Sequence, residues 1–235
     1  MKRFVTVLAL ALTAATPPAK HVAAPVPAAP PVAGDWNSLV QVSPIGTYVI
    51  GNPRAPVKVT EYLSFTCSHC AAFSRDSAPV LRGQMIKSGS VLIEYRPAVR
   101  DQADLAVTLL LKCIGPRRYA DAAETIFAHQ DDWLGIAYRY LEKDAPRFAL
   151  DPVPEQLKTL VKLGGIANQF QALGMSDAEI DHCLSDPKRL QQTVQVAAAG
   201  SKLIKGTPTF FVNGTRVPPI EWSGMEPVLR AKGAK

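Results

Sequence analysis

Two cysteines three positions apart, in Cys67-Ser68-His69-Cys70, are the residues whose types and spacing most directly suggest chemistry in this 235-residue chain. If the pair opens a helix, Cys67 lies beside backbone N–H groups that lack intrahelical partners, at the positive end of the helix dipole. Both effects favour thiolate over thiol. Cys70, one turn on, is close enough to bridge to it. His69 between them can add positive charge or a hydrogen bond to the sulfur and lower the Cys67 pKa further. A stabilised thiolate is a good leaving group, so the bridged form is easily reduced, and such a pair tends to give its disulfide away. Other uses of two cysteines fit less well. A structural zinc site needs two more Cys or His ligands, and the sequence has no second CxxC and no HxxxH. A c-type haem site needs His after the second Cys, where Ala71 stands. Copper handling would call for Met or further His nearby. The expectation is a redox dithiol with no metal and no cofactor.

The flanking elements supply the position this chemistry requires. Residues 57–63 alternate apolar and polar with β-branched side chains and follow the turn-like run 51–56, which predicts a strand. Beyond Thr66 the period turns helical, with Cys70, Phe73, Ser74, Ser77, Val80 and Leu81 on one stripe, until Ser88-Gly89-Ser90 stops it. A second strand follows at 91–95, completing a β-α-β unit, which implies parallel strands and a right-handed crossover. From 101 to 204 strand signals vanish. Helical patterns occupy 104–114, 118–130, 134–141, 154–170, 176–184 and 187–203, with a capping box at Ser176-x-x-Glu179 and with Pro154 and Pro187 suited to first turns. Residues 208–212 then read as a strand, Asn213-Gly214 as a tight hairpin turn, 215–220 as its partner and 225–232 as a closing helix.

Composition sets the bounds. The chain is 47% apolar and 20% charged, with 20 Pro, 15 Gly and 4 Cys. That excludes a disordered chain, a collagen and a disulfide-stapled miniprotein. The start, Met1-Lys2-Arg3 followed by the apolar run 4–12 and small residues at 13–15, reads as a secretory signal over residues 1–15, too short to span a bilayer at roughly 20 residues. Residues 16–35 are rich in Pro and Ala and read as a semi-extended linker. The net charge of +6 falls to +4 once Lys2 and Arg3 are set aside, and no basic run interleaved with aromatics occurs, so no nucleic-acid partner is expected. Export would place the mature chain where disulfides persist. Cys113 and Cys183, both among apolar neighbours, could then be two buried thiols or a bridge. An even pair in an oxidising compartment favours the bridge, which would stabilise by about 4 kcal/mol in the chain-entropy account.

Glu61-x-x-Ser64-Phe65-x-Cys67-x-His69-Cys70, a helical insert and Gly206-Thr207-Pro208-Thr209 together resemble the secreted thiol-disulfide oxidoreductases of the DsbA type, over roughly residues 46–232. The resemblance implies an α/β thioredoxin fold, a mixed sheet with flanking helices, formed by 36–100 and 204–235 and interrupted by an inserted helical domain at 101–203. It implies an exposed nucleophile at Cys67, a resolving Cys70, a cis Pro208 facing the dithiol, a Glu61 beneath the site, and backbone groups at Thr207 offered to an extended substrate. Some members from α-proteobacteria carry a second disulfide in the helical domain, matching a structural Cys113 to Cys183 bridge. Ser68 stands where such oxidases usually have Pro, and Thr before the cis-Pro is also usual in the related isomerases. Those isomerases dimerise through an added amino-terminal domain that the Pro-rich stretch cannot form, so a monomeric oxidase is the expectation. Its implied substrates are unfolded exported polypeptides in the periplasm or outside the cell, and its implied partner is a quinone-linked membrane reoxidase. The alternatives are an isomerase or reductase kept reduced by a donor, or a metal-handling or chaperone module.

Overall fold

The sheet begins with two strands that sequence patterning missed. The computed structural model describes residues 34–218 and 221–235, so the expected signal segment and nearly all of the linker lie outside the described residues, as do residues 219 and 220. β1 (Val40–Val42) and β2 (Tyr48–Gly51) pair antiparallel with Val40 opposite Ile50, and β2 continues onto β4 with Ile50 opposite Ile93. Three or four residues are too few to show a period, and their strand state comes from pairing with β4. β3 (Val57–Leu63) and β4 (Val91–Pro97) run parallel, Val59 opposite Ile93, as the β-α-β reading requires. β5 (Thr209–Val212) lies antiparallel on the other side of β3, and β6 (Thr215–Val217) pairs with β5 across Asn213-Gly214. The order is β1-β2-β4-β3-β5-β6, which puts β3 in the interior of the sheet. Glu61 therefore sits on a strand flanked on both sides.

α1 (Ser68–Val80) leaves β3 after a short turn and packs Phe73 onto Phe210 of β5 and onto Trp222, with ring centroids 4.4 and 5.9 Å apart. The helical stripe expected up to Ser88 is not one regular helix. Pro79 contributes no N–H within α1, and the next segment, Leu81–Ile86, widens into a π turn that still buries Met85 and Ile86 fully.

Seven helices separate β4 from β5: α2 (Gln102–Ile114), α3 (Pro116–Ala128), α4 (Gln130–Lys143), α5 (Val153–Leu163), α6 (Ile166–Ala172), α7 (Asp177–Leu184) and α8 (Pro187–Ser201). α2 is buried without a break from Ala103 to Leu111 and forms the centre of this group. The helix expected over 154–170 is divided by Gly164-Gly165. Gly165 takes a left-handed φ of +78°, and a Cβ on Gly164 would meet the Leu160 carbonyl oxygen at 2.5 Å. The Ser176 to Glu179 capping box closes in both directions, and Pro187 opens α8 behind an Asp186 cap. α9 (Trp222–Ala231) ends the fold. One apolar cluster runs from Leu63, Phe65 and Cys70 into Leu110, Trp133 and Phe170. The dithiol segment and the inserted helices thus share a core.

α8 crosses the sheet face opposite α1 at close range. An added Cβ on Gly200 would lie 2.7 Å from Cε1 of Tyr62, whose hydroxyl accepts a hydrogen bond from Arg96 at 3.0 Å. Gly200→Ala should therefore lower unfolding stability by about 1–3 kcal/mol in a denaturant titration. Unchanged stability would contradict the seating of α8 on Tyr62.

Candidate active site

Cys67 is the N-cap residue of α1, in extended backbone geometry with φ −97° and ψ 118°, and no side chain caps the helix in its stead. The turn before it is tied down from three directions. The Asp104 carboxylate of α2 accepts from the Phe65 N–H at 2.8 Å, Asp101 accepts from the Thr66 hydroxyl at 2.8 Å, and the Gln130 amide at the start of α4 donates to the carbonyls of Phe65 at 2.8 Å and Cys67 at 3.2 Å. These residues went unrecognised in the sequence. Asp101-x-x-Asp104 ahead of an apolar helix is a legible cap, and Asp101 does accept from the Asp104 N–H at 2.8 Å. Nothing near Gln130 announces a contact more than sixty residues away.

Across from the dithiol lies the Thr207–Pro208 peptide, which is cis. As a thiol, Cys67 donates to the Thr207 carbonyl at 3.2 Å. Cys67 is only 4% exposed and Cys70 is wholly buried, so the nucleophile is less open than the resemblance implies, because the Thr207 segment lies against it. Both cysteines are free thiols here.

The two sulfurs are electrostatically unlike. The Cys67 pKa falls to about 5, chiefly because the Cys70 thiol hydrogen-bonds its sulfur, with the Thr207 side chain and the N–H groups of Cys70 and His69 adding to this against the opposing effect of burial. Cys70 is driven far upward, first by burial, then by serving as the donor to Cys67, and then by the charges of Glu61 and Cys67. Glu61, 4% exposed on β3, is raised to about 8 by burial and secondarily by the Cys67 charge, so it holds a proton at neutral pH. A crevice of about 20 Å³ lined by Glu61, Ser74, Tyr95, Tyr119 and Glu124 has room for about one water.

Ser68 and His69 are exposed. The His69 backbone N–H, not its ring, is the part of that residue that hydrogen-bonds the Cys67 sulfur, and the ring lines a groove of about 430 Å³ with Phe73, Thr207, Pro208 and Trp222. Cys113 and Cys183 are joined by a disulfide between α2 and α7, away from this groove. The structure thus gathers Cys67, Cys70, Thr207, Pro208 and Glu61 into one place, with His69 at its rim.

The chain belongs to the thioredoxin family, whose sequence profile matches residues 43–231. Its fold is of the DsbA type, a thioredoxin sheet with helices inserted between β4 and β5. A Rickettsia typhi protein named for protein-disulfide oxidoreductase activity is 29% identical over 171 residues, which are 72% of this chain and 55% of that one. This chain thus spans about half the length of the curated relatives it matches. Among solved structures, a protein-disulfide isomerase from Novosphingobium aromaticivorans superposes with a TM-score of 0.71 at 25% identity, over 78% of this chain and 95% of that one. The α-DsbA1 of Wolbachia pipientis shares the fold with a TM-score of 0.59 at 21% identity, over 79% of this chain and 89% of that one.

Glu61 should mark the pH profile of stability. Its folded pKa lies above the unfolded one, so the folded state binds the extra proton, and stability present at low pH is lost as pH rises through about 8. In the oxidised protein, where Cys67 carries no charge and burial alone raises Glu61, unfolding stability should fall as pH rises above about 5, and Glu61→Gln should flatten that fall by about 2–4 kcal/mol. An identical slope in the variant would remove Glu61 from the buried site.

Proposed function

We propose that the protein is a thiol-disulfide oxidoreductase that donates the Cys67–Cys70 disulfide to unfolded exported polypeptides. The observation that carries this reading is the opposite shift of the two thiols, one lowered to about 5 at a helix start and the other pushed up beneath it. A substrate thiolate attacks the Cys67 sulfur of the bridged form, the bond to Cys70 breaks, and a mixed disulfide forms on Cys67. Cys70 is a poor anion in its burial, so its sulfur needs a proton as it leaves, and protonated Glu61 is placed to supply one. A second substrate thiol attacks the substrate sulfur of the mixed disulfide and expels Cys67 as its stabilised thiolate. The substrate leaves oxidised by two electrons and the enzyme holds the reduced pair.

The groove beside Pro208 suits an extended peptide, bordered by the apolar faces of Phe73 and Trp222 and by the carboxylates of Asp76 and Glu221. Export to the periplasm is supported by the signal-like start, and among the described residues no helix is long and apolar enough to cross a membrane. Continued turnover requires reoxidation, for which a quinone-linked membrane protein is the proposed partner, and the protein is proposed to act as a monomer. An isomerase reading draws on the name of the Novosphingobium structure and on Thr207 before the cis-Pro.

Equilibration against glutathione redox buffers tests the reading. A nucleophile pKa about two units below the thioredoxin value of about 7 raises the potential by about 60 mV over thioredoxin's −270 mV, to about −210 mV. The bridged protein should also introduce disulfides into a reduced, unfolded polypeptide with no other oxidant present. A potential near about −270 mV would make the protein a reductase. Reshuffling of scrambled disulfides faster than oxidation of reduced chains would favour the isomerase.

A further inference from the structure

The Cys113–Cys183 bridge is built unlike a buried staple. Its two sulfurs meet different surroundings, with Cys183 fully buried and Cys113 partly exposed at the end of α2. The Arg189 guanidinium of α8 lies 3.7 Å from the Cys183 sulfur, and the Leu109 carbonyl oxygen lies 3.1 Å from the same sulfur. A disulfide sulfur carries neither a negative charge for the guanidinium nor a proton for the carbonyl. Both partners would gain their full interaction only after the bridge opens, the first with a Cys183 thiolate and the second with a Cys183 thiol. In front of Cys113 lies a groove of about 450 Å³ lined by Arg118, Arg189, His182, Met175 and Glu179. Glu179 is engaged by the Ser176 cap, and Arg189 pairs with Asp186 at 3.1 Å while still touching the sulfur. Two guanidinium groups and one carboxylate therefore line this groove, with Arg189 also paired to Asp186 and Arg118 also donating to the Leu173 carbonyl.

We propose that Cys113–Cys183 is a second thiol-exchange site, reactive toward small anionic thiols. The thiolate of such a molecule attacks the Cys113 sulfur, a new bond forms there, and the Cys113–Cys183 bond breaks. The electron pair leaves on the Cys183 sulfur, facing Arg189, and a proton taken from solvent then lets Cys183 donate to the Leu109 carbonyl. A second thiolate of the same kind can attack its partner in the mixed disulfide, releasing the small molecule as its own disulfide and leaving both protein cysteines reduced. Carboxylates on the incoming thiol would meet Arg118 and Arg189. The site opens on α2 and α7, whereas the Cys67 groove opens on α1 and the Pro208 segment, so the two can react independently.

The test uses the full chain with Cys67→Ser and Cys70→Ser, so that only this bridge can react, and so that failure of the oxidase reading leaves the result unaffected. Reduced glutathione and cysteamine, an anionic and a cationic thiol, are compared at equal thiolate concentration, with alkylation and peptide mass analysis of the products. Glutathione should attach to Cys113 and leave Cys183 open to alkylation, about tenfold faster than cysteamine because the guanidinium groups beside Cys113 attract the anionic thiol and repel the cationic one. Arg118→Gln should weaken that preference, and an unchanged preference would contradict the assigned contact. Arg189→Gln should slow both thiols about tenfold by withdrawing a charged contact from the departing sulfur. Attachment at Cys183, equal rates for the two thiols, an Arg189→Gln protein that reacts as its parent does, or no adduct at all would overturn the proposal. The attachment site and the Arg118 comparison decide the matter even if Arg189→Gln fails to fold.

Discussion

One negative charge, on the sulfur of Cys67, organises the chemistry of this molecule. It is affordable at the N-cap of α1 because backbone donors and the neighbouring thiol converge on it, and it is excluded one turn deeper, where Cys70 is surrounded by apolar groups. Glu61 belongs to the same constraint. A carboxylate on an interior strand beneath a thiolate would place two like charges in a poorly solvated space, so it stays protonated. The helix terminus, the buried second thiol and the protonated acid are three consequences of one preference.

Holding the charge in place requires the turn between β3 and α1 to be rigid, and the inserted helices provide that. Asp101 and Asp104 at the head of α2 and Gln130 at the head of α4 fix both sides of the peptide backbone from Phe65 to Cys67. The same helices extend the apolar cluster that contains Cys70. The insert therefore does more than occupy space between two strands, since without it the nucleophile would sit on an unsupported loop. The third support comes from the Thr207 side chain on the opposite wall, which hydrogen-bonds the Cys67 sulfur and favours its charge.

Much of this was legible in the chain. Alternation at residues 57–63, the change of period at Cys67 and the Asn213-Gly214 turn locate β3, α1 and the β5 to β6 hairpin, because long periodic segments and special turn residues carry their own signal. The Cys67 and Cys70 pair and the Pro208 opposite it were identifiable from local context and resemblance. What was hidden depends on partners distant in sequence. β1 and β2 are strands only because β4 offers them an edge, α5 and α6 part where Gly164 meets Leu160, and Gln130 gains its role from a loop on another element. The covered state of Cys67 was likewise invisible, since only the fold brings residue 207 against residue 67.

Unfolding stability of the oxidised and reduced forms, compared across pH, tests the central claim most directly. The reduced form alone carries the Cys67 thiolate, whose folded pKa lies below its unfolded value. The stability it contributes is present in full above about pH 9 and is lost as pH falls through about 5. The account predicts that the stability of the reduced form relative to the oxidised form rises by a few kcal/mol from about pH 5 to about pH 9. A difference that does not change with pH across that interval would contradict it.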